Sequence, residues 1–566
     1  METHNKSTVH RPQSAVSMLP DWLQKAAGTL LPAARSRLYP SRWVSAFCLL
    51  LTVCCLLFTA VQAQTVKRVE LPLPGTNESF HTISLGAKGV VLVSQIAKNA
   101  FNIQKLNPDL ERDWSINGTI EENLDFVKSS YDGQSVYLLF TRNRTDFYQV
   151  VKVGIAGYME TFFLTSVDRF QITDFQTLGY SVFMAGTVRD EPMLLYTNLA
   201  TKQSKVLPGV TQSNTVIQSV DIDTLHHLVD VCYAARKGRE IKIISRTFDE
   251  YGQAVGQVMV EPEPDYSLLN GRLFMLNDST KLMIGTYGFR NMQGNNNSAS
   301  QGLFLSKIVY DEVEFTQYHS FTDFKNFFNF MSDREQERMQ RKIERKKESG
   351  DDVKLNYRLL VHDIIEQNGN YLISGEVFYP EYRNNNNGPY GMSSWWGSPI
   401  MSPWGWGGMG LYPSMGLWNP YYWDPWYGAR RMNNGQVFNG FIYTHAIVAG
   451  FSAKGDLLWD NSLPFEGVRS MELKEKVRVK PNDDQTVAMF YSNKGAIKAK
   501  IFDKDKVLAD RQPVPIMTAD LSDKVRQTTT DEVLYWYDNY YLAFGYQRIT
   551  GGDGRRNVFY LNKISF

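Results

Sequence analysis

The sequence has few cysteines, and their positions exclude a disulfide framework. Only four occur among 566 residues, and Cys48, Cys54 and Cys55 lie in one apolar run at residues 44–60. If that run is removed as a signal peptide, Cys232 is the only thiol left, so no internal disulfide can form. The fold must therefore be held by its apolar core, and 43% apolar residues in a chain of this length can build a large one.

An excess of charge of either sign is also lacking. The 60 basic and 59 acidic residues nearly balance, so bulk electrostatics give no reason to expect a nucleic-acid partner. The sequence contains no G-x-S-x-G nucleophile elbow, no H-E-x-x-H zinc motif and no phosphate-binding loop. We therefore expect no cofactor, and a non-catalytic role is favoured over an enzyme.

The first 63 residues have the layout of a leader and signal peptide. Residues 1–43 are polar and basic, residues 44–60 are apolar, and Ala60-Val61-Gln62-Ala63 follows. This order predicts cleavage after Ala63 and export to the periplasm, the outer membrane or the extracellular space. The alternative is an uncleaved single-span inner-membrane anchor over residues 44–60, although a span usually needs about 20 residues. Met18 is an alternative to Met1 as the start.

Residues 64–566 repeat a unit of four strands. The third strand of successive copies begins near Phe101, Phe147, Met193 and Glu240, at steps of 46, 46 and 47 residues. Four-stranded units at this period are typical of β-propeller blades. The eighth copy stops one strand short, while residues 66–73 form a spare first strand. We therefore predict an all-β closed propeller of eight blades, with the N-terminal strand completing the last; seven blades are the alternative.

Two copies carry a tryptophan at the same position of the four-stranded repeat unit. Residues 449–459, Ala-Gly-Phe-Ser-Ala-Lys-Gly-Asp-Leu-Leu-Trp, resemble the repeat of quinoprotein-like (PQQ-repeat) β-propellers, and residues 106–114 match it in part. In that repeat a turn glycine precedes a tryptophan that packs between blades. Phe451 stands where the repeat usually carries aspartate, so the resemblance implies the fold and no bound quinone. The whole chain resembles secreted bacterial propellers.

Three insertions interrupt the series of repeat units. They cover residues 293–300 in blade five, residues 320–355 between blades five and six, and residues 380–438 in blade six. Because strand direction alternates, loops between second and third strands and loops between blades emerge on the same face. Binding residues concentrate in loops held by a rigid scaffold. We therefore expect the binding site on this face, over blades five and six.

The two larger insertions supply the candidate binding residues. The phenylalanines of residues 320–331 and a capping box at Ser332 predict two helices, the second strongly charged. Residues 380–438 are rich in Gly, Trp, Tyr, Pro and Met without a strand or helix period, which predicts a disordered insertion. It is either a flexible tether or an aromatic contact surface for a protein, a glycan or a membrane. The candidates are Arg338, Arg341, Arg345, Trp395, Trp396, Trp404, Trp406, Trp418, Trp423 and Trp426.

Histidines give the only weak catalytic and metal signals. His226 and His227 lie in a turn near several aspartates, without the spacing that zinc sites usually show. His362 lies in blade six near the large insertion and is the weak candidate for an acid or base. The favoured hypothesis is an exported non-catalytic platform for a protein partner or for envelope assembly. The alternative is a glycan-binding or glycan-degrading hydrolase or lyase that uses His362.

Overall fold

The computed structural model shows an eight-bladed β-propeller, as the sequence predicts. It describes residues 64–73, 80–122, 124–142, 146–165, 167–189, 191–209, 214–277, 279–291, 299–362, 364–384, 436–470, 473–482, 485–520, 522–552 and 554–565. Every blade is an antiparallel sheet built on a path of four neighbouring strands. The propeller begins with β1 (Gln64–Pro72), which belongs to the last blade.

The first four blades each contain four strands in chain order. Blade one is β2 (Phe80–Ser84), β3 (Val90–Ala97), β4 (Ala100–Leu106) and β5 (Arg112–Thr119); blade two is β6 (Asp125–Tyr131), β7 (Ser135–Thr141), β8 (Phe147–Gly154) and β9 (Met159–Thr165). Blade three is β10 (Gln171–Leu178), β11 (Ser181–Val188), β12 (Glu191–Asn198) and β13 (Gln203–Val206); blade four is β14 (Thr215–Asp223), β15 (Leu228–Lys237), β16 (Glu240–Asp249) and β17 (Ala254–Val260).

The last four blades are less regular. Blade five is β18 (Tyr266–Asn277), β19 (Thr280–Phe289), β20 (Gly302–Val309) and β21 (Glu312–Ser320); blade six is β22 (Arg358–Val361), β23 (Ile365–Gln367), β24 (Asn370–Asn384), β25 (Gln436–Phe451), β26 (Leu457–Pro464) and β27 (Arg469–Ser470). Blade seven is β28 (Arg478–Pro481), β29 (Val487–Asn493), β30 (Ala496–Asp503), β31 (Lys506–Asp510) and β32 (Val514–Pro515); blade eight is β33 (Lys524–Tyr537), β34 (Tyr540–Gly551), β35 (Gly554–Ser565) and β1. The short strands β23, β27 and β32 pair alongside the four-strand path in blades six and seven.

The core lies between neighbouring blades, so each sheet depends on the next one. All residues of β7, a second strand, are buried, whereas all residues of β13, a fourth strand, are exposed. One apolar cluster joins blades one and two through Val93, Phe101 and Phe140. A single blade could not bury both of its faces, which is why four-stranded units of this kind assemble into a ring.

In the second strands β11 and β19, a glycine lies where the first strand of the blade approaches closely. A Cβ atom added at Gly186 would lie 2.2 Å from Gln171 O, and one at Gly285 would lie 1.9 Å from Asn270 O. Each glycine lies at a β-bulge, where the register of the first strand shifts between Ile172 and Asp174 or between Leu268 and Asn270. In these two blades the bulge thus brings the first strand so close that only glycine fits on the second.

The first strand closes the ring as predicted. β1 pairs with β35 from Pro72 opposite Val558 to Gln64 opposite Ser565. The buried Arg68 guanidinium fixes this pairing, because it donates to Gln547 Oε1 at 2.8 Å and lies 4.7 Å from the ring of Tyr560. The last blade is therefore completed by both ends of the described chain, and no sheet edge is left at the junction.

The repeat tryptophans pack towards the following blade. Trp114 Nε1 donates to Ile155 O of blade two at 2.9 Å. Trp459 meets Phe502 of blade seven edge-on, with ring centroids 6.1 Å apart. Both side chains therefore join consecutive sheets.

The second insertion contains one α-helix rather than two. Helix α1 (Asp333–Glu348) begins where the capping box predicts, and the Glu335 carboxylate accepts hydrogen bonds from Ser332 N and Ser332 Oγ. The predicted helix over the preceding phenylalanines does not form: a short 3-10 helix (Phe321–Asp323) ends at Phe324, whose backbone is extended with ψ 131°. Among the residues that the structure describes, no helix has the length and apolar composition needed to span a membrane.

Candidate functional site

The end of the first insertion contacts the end of the second. Ser300 N donates to Tyr357 O at 2.7 Å. The Gln301 side chain accepts from Leu355 N at 2.8 Å and donates to Leu355 O at 2.9 Å. Residues 292–298 lie outside the described residues, but the residues that follow them are held against the segment that returns from α1 to blade six.

Residues 321–331, which precede α1 and which we call the phenylalanine segment, pack on the β24–β25 hairpin that carries the third insertion. The ring of Phe330 stacks on His445 of β25 at a centroid distance of 4.2 Å and an angle of 9°. Phe327 meets the same imidazole edge-on at 4.9 Å. Burial lowers the pKa of His445 to about 3, so the imidazole is neutral at ordinary pH and acts as an aromatic partner.

Asp460 attaches the same segment to the outermost strand of blade six. Its carboxylate accepts from Lys325 N at 2.8 Å and from Asn326 N at 2.7 Å. Asn326 Nδ2 donates to Asp460 O at 2.7 Å, and Ser462 Oγ donates to Asn326 O at 2.8 Å. Burial raises the pKa of Asp460, while the two backbone N–H donors lower it. The segment thus covers part of an edge that would otherwise be free to pair.

Only a small part of the surface of helix α1 packs against the propeller. Ile343 is its single buried residue, and it joins the apolar cluster that contains Phe321, Phe324 and Phe327. An amphipathic helix of this length usually buries a stripe of three to four residues per two turns. Most of α1 therefore faces solvent.

The three predicted arginines of α1 lie on its exposed side. Arg341 Nη2 is 3.3 Å from Glu337 Oε2 within the helix. Within the described part of the chain, neither Arg338 nor Arg345 has a carboxylate within ion-pair distance, although Arg345 Nε donates to Arg341 O at 3.3 Å. The helix ends in Arg345, Lys346 and Lys347, which favours its stability because cations complement the helix C-terminus.

A groove of about 690 Å³ separates α1 from the phenylalanine segment. Its apolar floor is formed by Phe324, Phe328 and Ile343, and its α1 wall carries Glu337 and Arg341. The groove is open to solvent along the helix and combines an apolar base with charges of both signs.

The seven predicted tryptophans lie outside the described residues. The strands that lead to them are nevertheless longer than the sequence suggests, because β24 and β25 remain paired as far as Asn384 opposite Gln436. This hairpin joins a second to a third strand, so it emerges on the same face as the other two insertions. The structure thus brings the described parts of all three insertions into contact or onto one face.

His362 is placed in a buried ion network rather than on that face. Its Nε2 lies 3.1 Å from Glu376 Oε1, and its side chain is only 7% exposed. Burial opposes protonation of His362, but the carboxylates of Glu475 and Glu376 outweigh it and raise its pKa. Glu376 Oε1 also accepts from Lys476 N and Val477 N at 2.6 Å each, which binds blade six to blade seven.

A further set of charged side chains, centred on Arg272, lies near the axis of the ring, and no sequence pattern indicates it. Arg272 of β18 lies 3.4 Å from Asp221 of blade four and 3.7 Å from Glu475, which precedes blade seven. Blades five and seven are not neighbours, so this ion pair must pass on the axial side of blade six. Residues 473–477 therefore reach towards the axis. Only the ring geometry brings these residues together, so no local sequence pattern indicates them, and the same holds for Asp460 and Asn326.

The adjacent histidines each pair with a carboxylate at the surface. His226 Nδ1 is 2.6 Å from Asp223 Oδ2, and His227 Nδ1 is 3.0 Å from Glu250 Oε2. Among the described residues, no group of three or more histidine, cysteine or carboxylate side chains is placed to hold a metal ion.

Comparisons with known proteins give only distant similarities to solved structures. The sequence matches no protein-family model and no curated protein. Among solved structures, the chain is similar to the β-propeller domain of the Trilobed protease from Pyrococcus furiosus (10% identity, TM-score 0.31, 77% of this chain and 95% of that one). It is also similar to oligopeptidase B from Leishmania major (8% identity, TM-score 0.34, 84% and 54%) and to a Synechocystis apocarotenoid oxygenase mutant (7% identity, TM-score 0.27, 44% and 66%).

Proposed function

We propose that this chain is an exported, non-catalytic propeller that binds a protein partner of the cell envelope through the face over blades five and six. The observation that carries the proposal is the placement of α1. This helix of 16 residues buries only Ile343, yet the segment before it is fixed by Asp460 and the stack on His445. A helix that contributes so little to the core has its outer face free for a partner.

The chemistry of that face favours a partner with an acidic surface. Arg338 and Arg345 are exposed and have no ion-pair partner in the described part of the chain, and Arg341 is paired only within the helix. Arginine is enriched in protein interfaces because its planar group can bind carboxylates with two hydrogen bonds. The groove beside α1 adds an apolar contact through Phe324 and Phe328.

We propose that the tryptophan-rich segment, residues 388–428, also contacts the partner, because it is connected to the same face. Residues 388–428 contain seven of the twelve tryptophans and leave from the end of the β24–β25 hairpin on this face. Exposed tryptophan is costly unless a partner covers it. If residues 388–428 are replaced by a short Gly-Ser linker, the protein should be lost from the envelope fraction, and unchanged partitioning would contradict this role.

Site-specific crosslinking tests the proposed contact. A photoreactive residue at Gln340 of α1 should crosslink a protein of one defined mass in intact cells, and the adduct should fall at least tenfold when Arg338 and Arg345 are changed to Glu. The matched control places the same photoreactive residue at Lys202, in an exposed turn between third and fourth strands on the opposite face. The proposal is wrong if Gln340 yields no adduct, or if Lys202 yields the same one.

The alternative, a glycan hydrolase or lyase that uses His362, has less support. The imidazole is buried beside Glu376, and the carboxylate of Glu376 joins blade six to the segment before blade seven. A polysaccharide could reach His362 only after this network opened. Turnover on a polysaccharide panel that disappears in His362→Ala, while the variant keeps the wild-type thermal midpoint, would favour the alternative.

A further inference from the structure

Blade eight continues beyond the end of β1 as a three-stranded ribbon. β34 and β35 have 12 residues each and continue to Gly551 and Gly554. β1 pairs with β35 as far as Val558, and Leu73 N still donates to Asn557 O, so the rows beyond Asn557 contain β33, β34 and β35 alone. Residues 554–556 of β35 lie in this part, which is roughly 10 Å long at about 3.4 Å per residue.

One face of this extension is basic. Lys524 lies opposite Thr550, which lies opposite Arg555, so the three residues form one row across the ribbon. Arg548 precedes Thr550 by two positions and projects from the same face. Arg526 is the extra residue at the bulge between Val525 and Gln527 and is also exposed. We call Lys524, Arg526, Arg548 and Arg555 the cationic ribbon.

The charges of the cationic ribbon are not neutralised by the described chain. All four side chains are exposed, and within the described residues no carboxylate lies within ion-pair distance of them. Their one side-chain hydrogen bond runs from Arg548 Nε to Asn557 Oδ1 at 3.3 Å. The sequence places one acidic residue, Asp553, in the turn between β34 and β35, outside the described residues. Positive charge is therefore in excess on this face.

The opposite face of the ribbon holds it in place. Arg556 forms ion pairs with Asp523 and with Glu70 of β1, the latter at 3.1 Å. Gly551 lies against the Asp523 carboxylate so closely that a Cβ atom would lie 1.7 Å from it. The strand rows are thus fixed by paired charges on one side, and the unpaired charges on the other side are presented on a rigid support.

A neighbouring turn adds a further cation. Lys494 is exposed in the turn between β29 and β30 of blade seven. The next residue, Gly495, contacts β33, because a Cβ atom on it would lie 2.7 Å from Thr528 Oγ1. Both turns join second to third strands, so Lys494 and the cationic ribbon lie on the face from which the β24–β25 hairpin also emerges.

We propose that the cationic ribbon binds the anionic headgroups of a lipid bilayer surface. Neighbouring strands are about 4.8 Å apart, so Lys524 and Arg555 are separated by roughly 10 Å across the ribbon, and Arg548 lies in the next row. This two-dimensional array fits a flat layer of negative charges, whereas a linear polyanion is usually bound along a groove. Polybasic segments near anionic leaflets gain affinity with each cation. The inference does not depend on the protein partner proposed for α1.

Vesicle co-sedimentation tests this surface directly. The protein, as recovered from the cells that produce it, is mixed with neutral phosphatidylcholine vesicles or with vesicles that contain 30% phosphatidylserine. We expect binding to the anionic vesicles only, with a strong decrease between 50 mM and 500 mM salt, because the added salt shortens the screening length. Changing Lys524, Arg526, Arg548 and Arg555 together to Gln should lower the partition coefficient by at least 30-fold.

The matched control removes the same number of cations from the opposite face. Lys202, Lys454, Lys504 and Lys506 are exposed near turns between third and fourth strands, and their change to Gln should leave vesicle binding within twofold of wild type. Thermal midpoints of both variants establish that they fold. The proposal is overturned if wild type does not bind anionic vesicles at 50 mM salt, or if the two variants bind equally. Binding to a soluble sulfated polysaccharide without binding to vesicles would also overturn it.

Discussion

At the scale of single residues, the hydrogen bonds of Asp460 decide whether α1 stays on the propeller. Its carboxylate accepts two backbone N–H groups from a segment that has little regular structure of its own. A buried donor left without an acceptor costs about 1–3 kcal/mol. The contacts of Lys325 illustrate the contrast, because its side chain makes only an exposed ion pair with Asp505 at 3.1 Å.

Asp460→Ala should therefore lower the free energy of unfolding by about 2–4 kcal/mol. It should also speed hydrogen exchange at the amides of residues 325–348. Asp505→Ala is the control, since an exposed ion pair is worth roughly 0–1 kcal/mol. Denaturant unfolding and exchange mass spectrometry measure both effects. Equal losses in the two variants would show that Asp460 does not anchor the segment.

His445 should make stability depend on pH. Its folded pKa of about 3 lies below the ordinary value of 6.5, so between these values the unfolded chain binds a proton that the folded chain does not. Stability is thus lost as pH falls below about 6.5. The expected loss between pH 7 and pH 4.5 is about 2–3 kcal/mol from this group.

His445→Leu should remove that part of the pH dependence while other groups continue to titrate. The measurement is the difference in unfolding free energy between wild type and variant at pH 7 and at pH 4.5. The variant should gain about 2–3 kcal/mol relative to wild type on acidification. A difference that does not change with pH would mean that the imidazole is not buried in the neutral form.

At the scale of elements, Ile343 is the one fully buried side chain of α1, and it packs beside the partly buried Met339. Lys347 of the same helix forms an exposed ion pair with Asp323. Ile343→Ala should cost about 2–4 kcal/mol, as truncation of a buried Ile usually does, and should free the helix amides to exchange. Lys342→Ala, at the exposed neighbouring position, should change neither quantity by more than about 0.5 kcal/mol. If Ile343→Ala leaves exchange of residues 333–348 unchanged, the helix is held by contacts other than its buried residue.

The two halves of this insertion differ in how well the sequence predicts them. The start of α1 was predictable because Ser332 and Glu335 form a local capping box. The phenylalanine segment was not, because the spacing of Phe321, Phe324 and Phe327 also fits a helix. The backbone N–H groups of Lys325 and Asn326 donate to the Asp460 carboxylate instead of to helical carbonyl groups. The donor and acceptor of each of these hydrogen bonds are separated by 134 or more residues in the sequence. No local pattern reports such a contact.

At the scale of the whole molecule, the blade number was predictable because a period of 46–47 residues is visible in the strands themselves. Ring closure followed from a missing strand at one end and a spare strand at the other. The ion pair between Arg272 and Glu475 could not be predicted, because it depends on where blades four, five and seven lie around the axis. The candidate site over blades five and six was predicted from strand topology, whereas the contacts of Asp460 and His445 that fix its segments could be seen only in the structure.

Closure of the ring by the first strand is the claim on which the shared face depends, and a designed disulfide tests it most directly. Val69 lies opposite Leu561, so Val69→Cys with Leu561→Cys should form an intrachain disulfide on mild oxidation. The offset pair Val69→Cys with Tyr560→Cys should not, because a shift of one residue turns the second side chain to the other face. Ring closure by β1 predicts a high disulfide yield in the first variant and little in the second. No disulfide in the first variant, or equal yields in both, would contradict it.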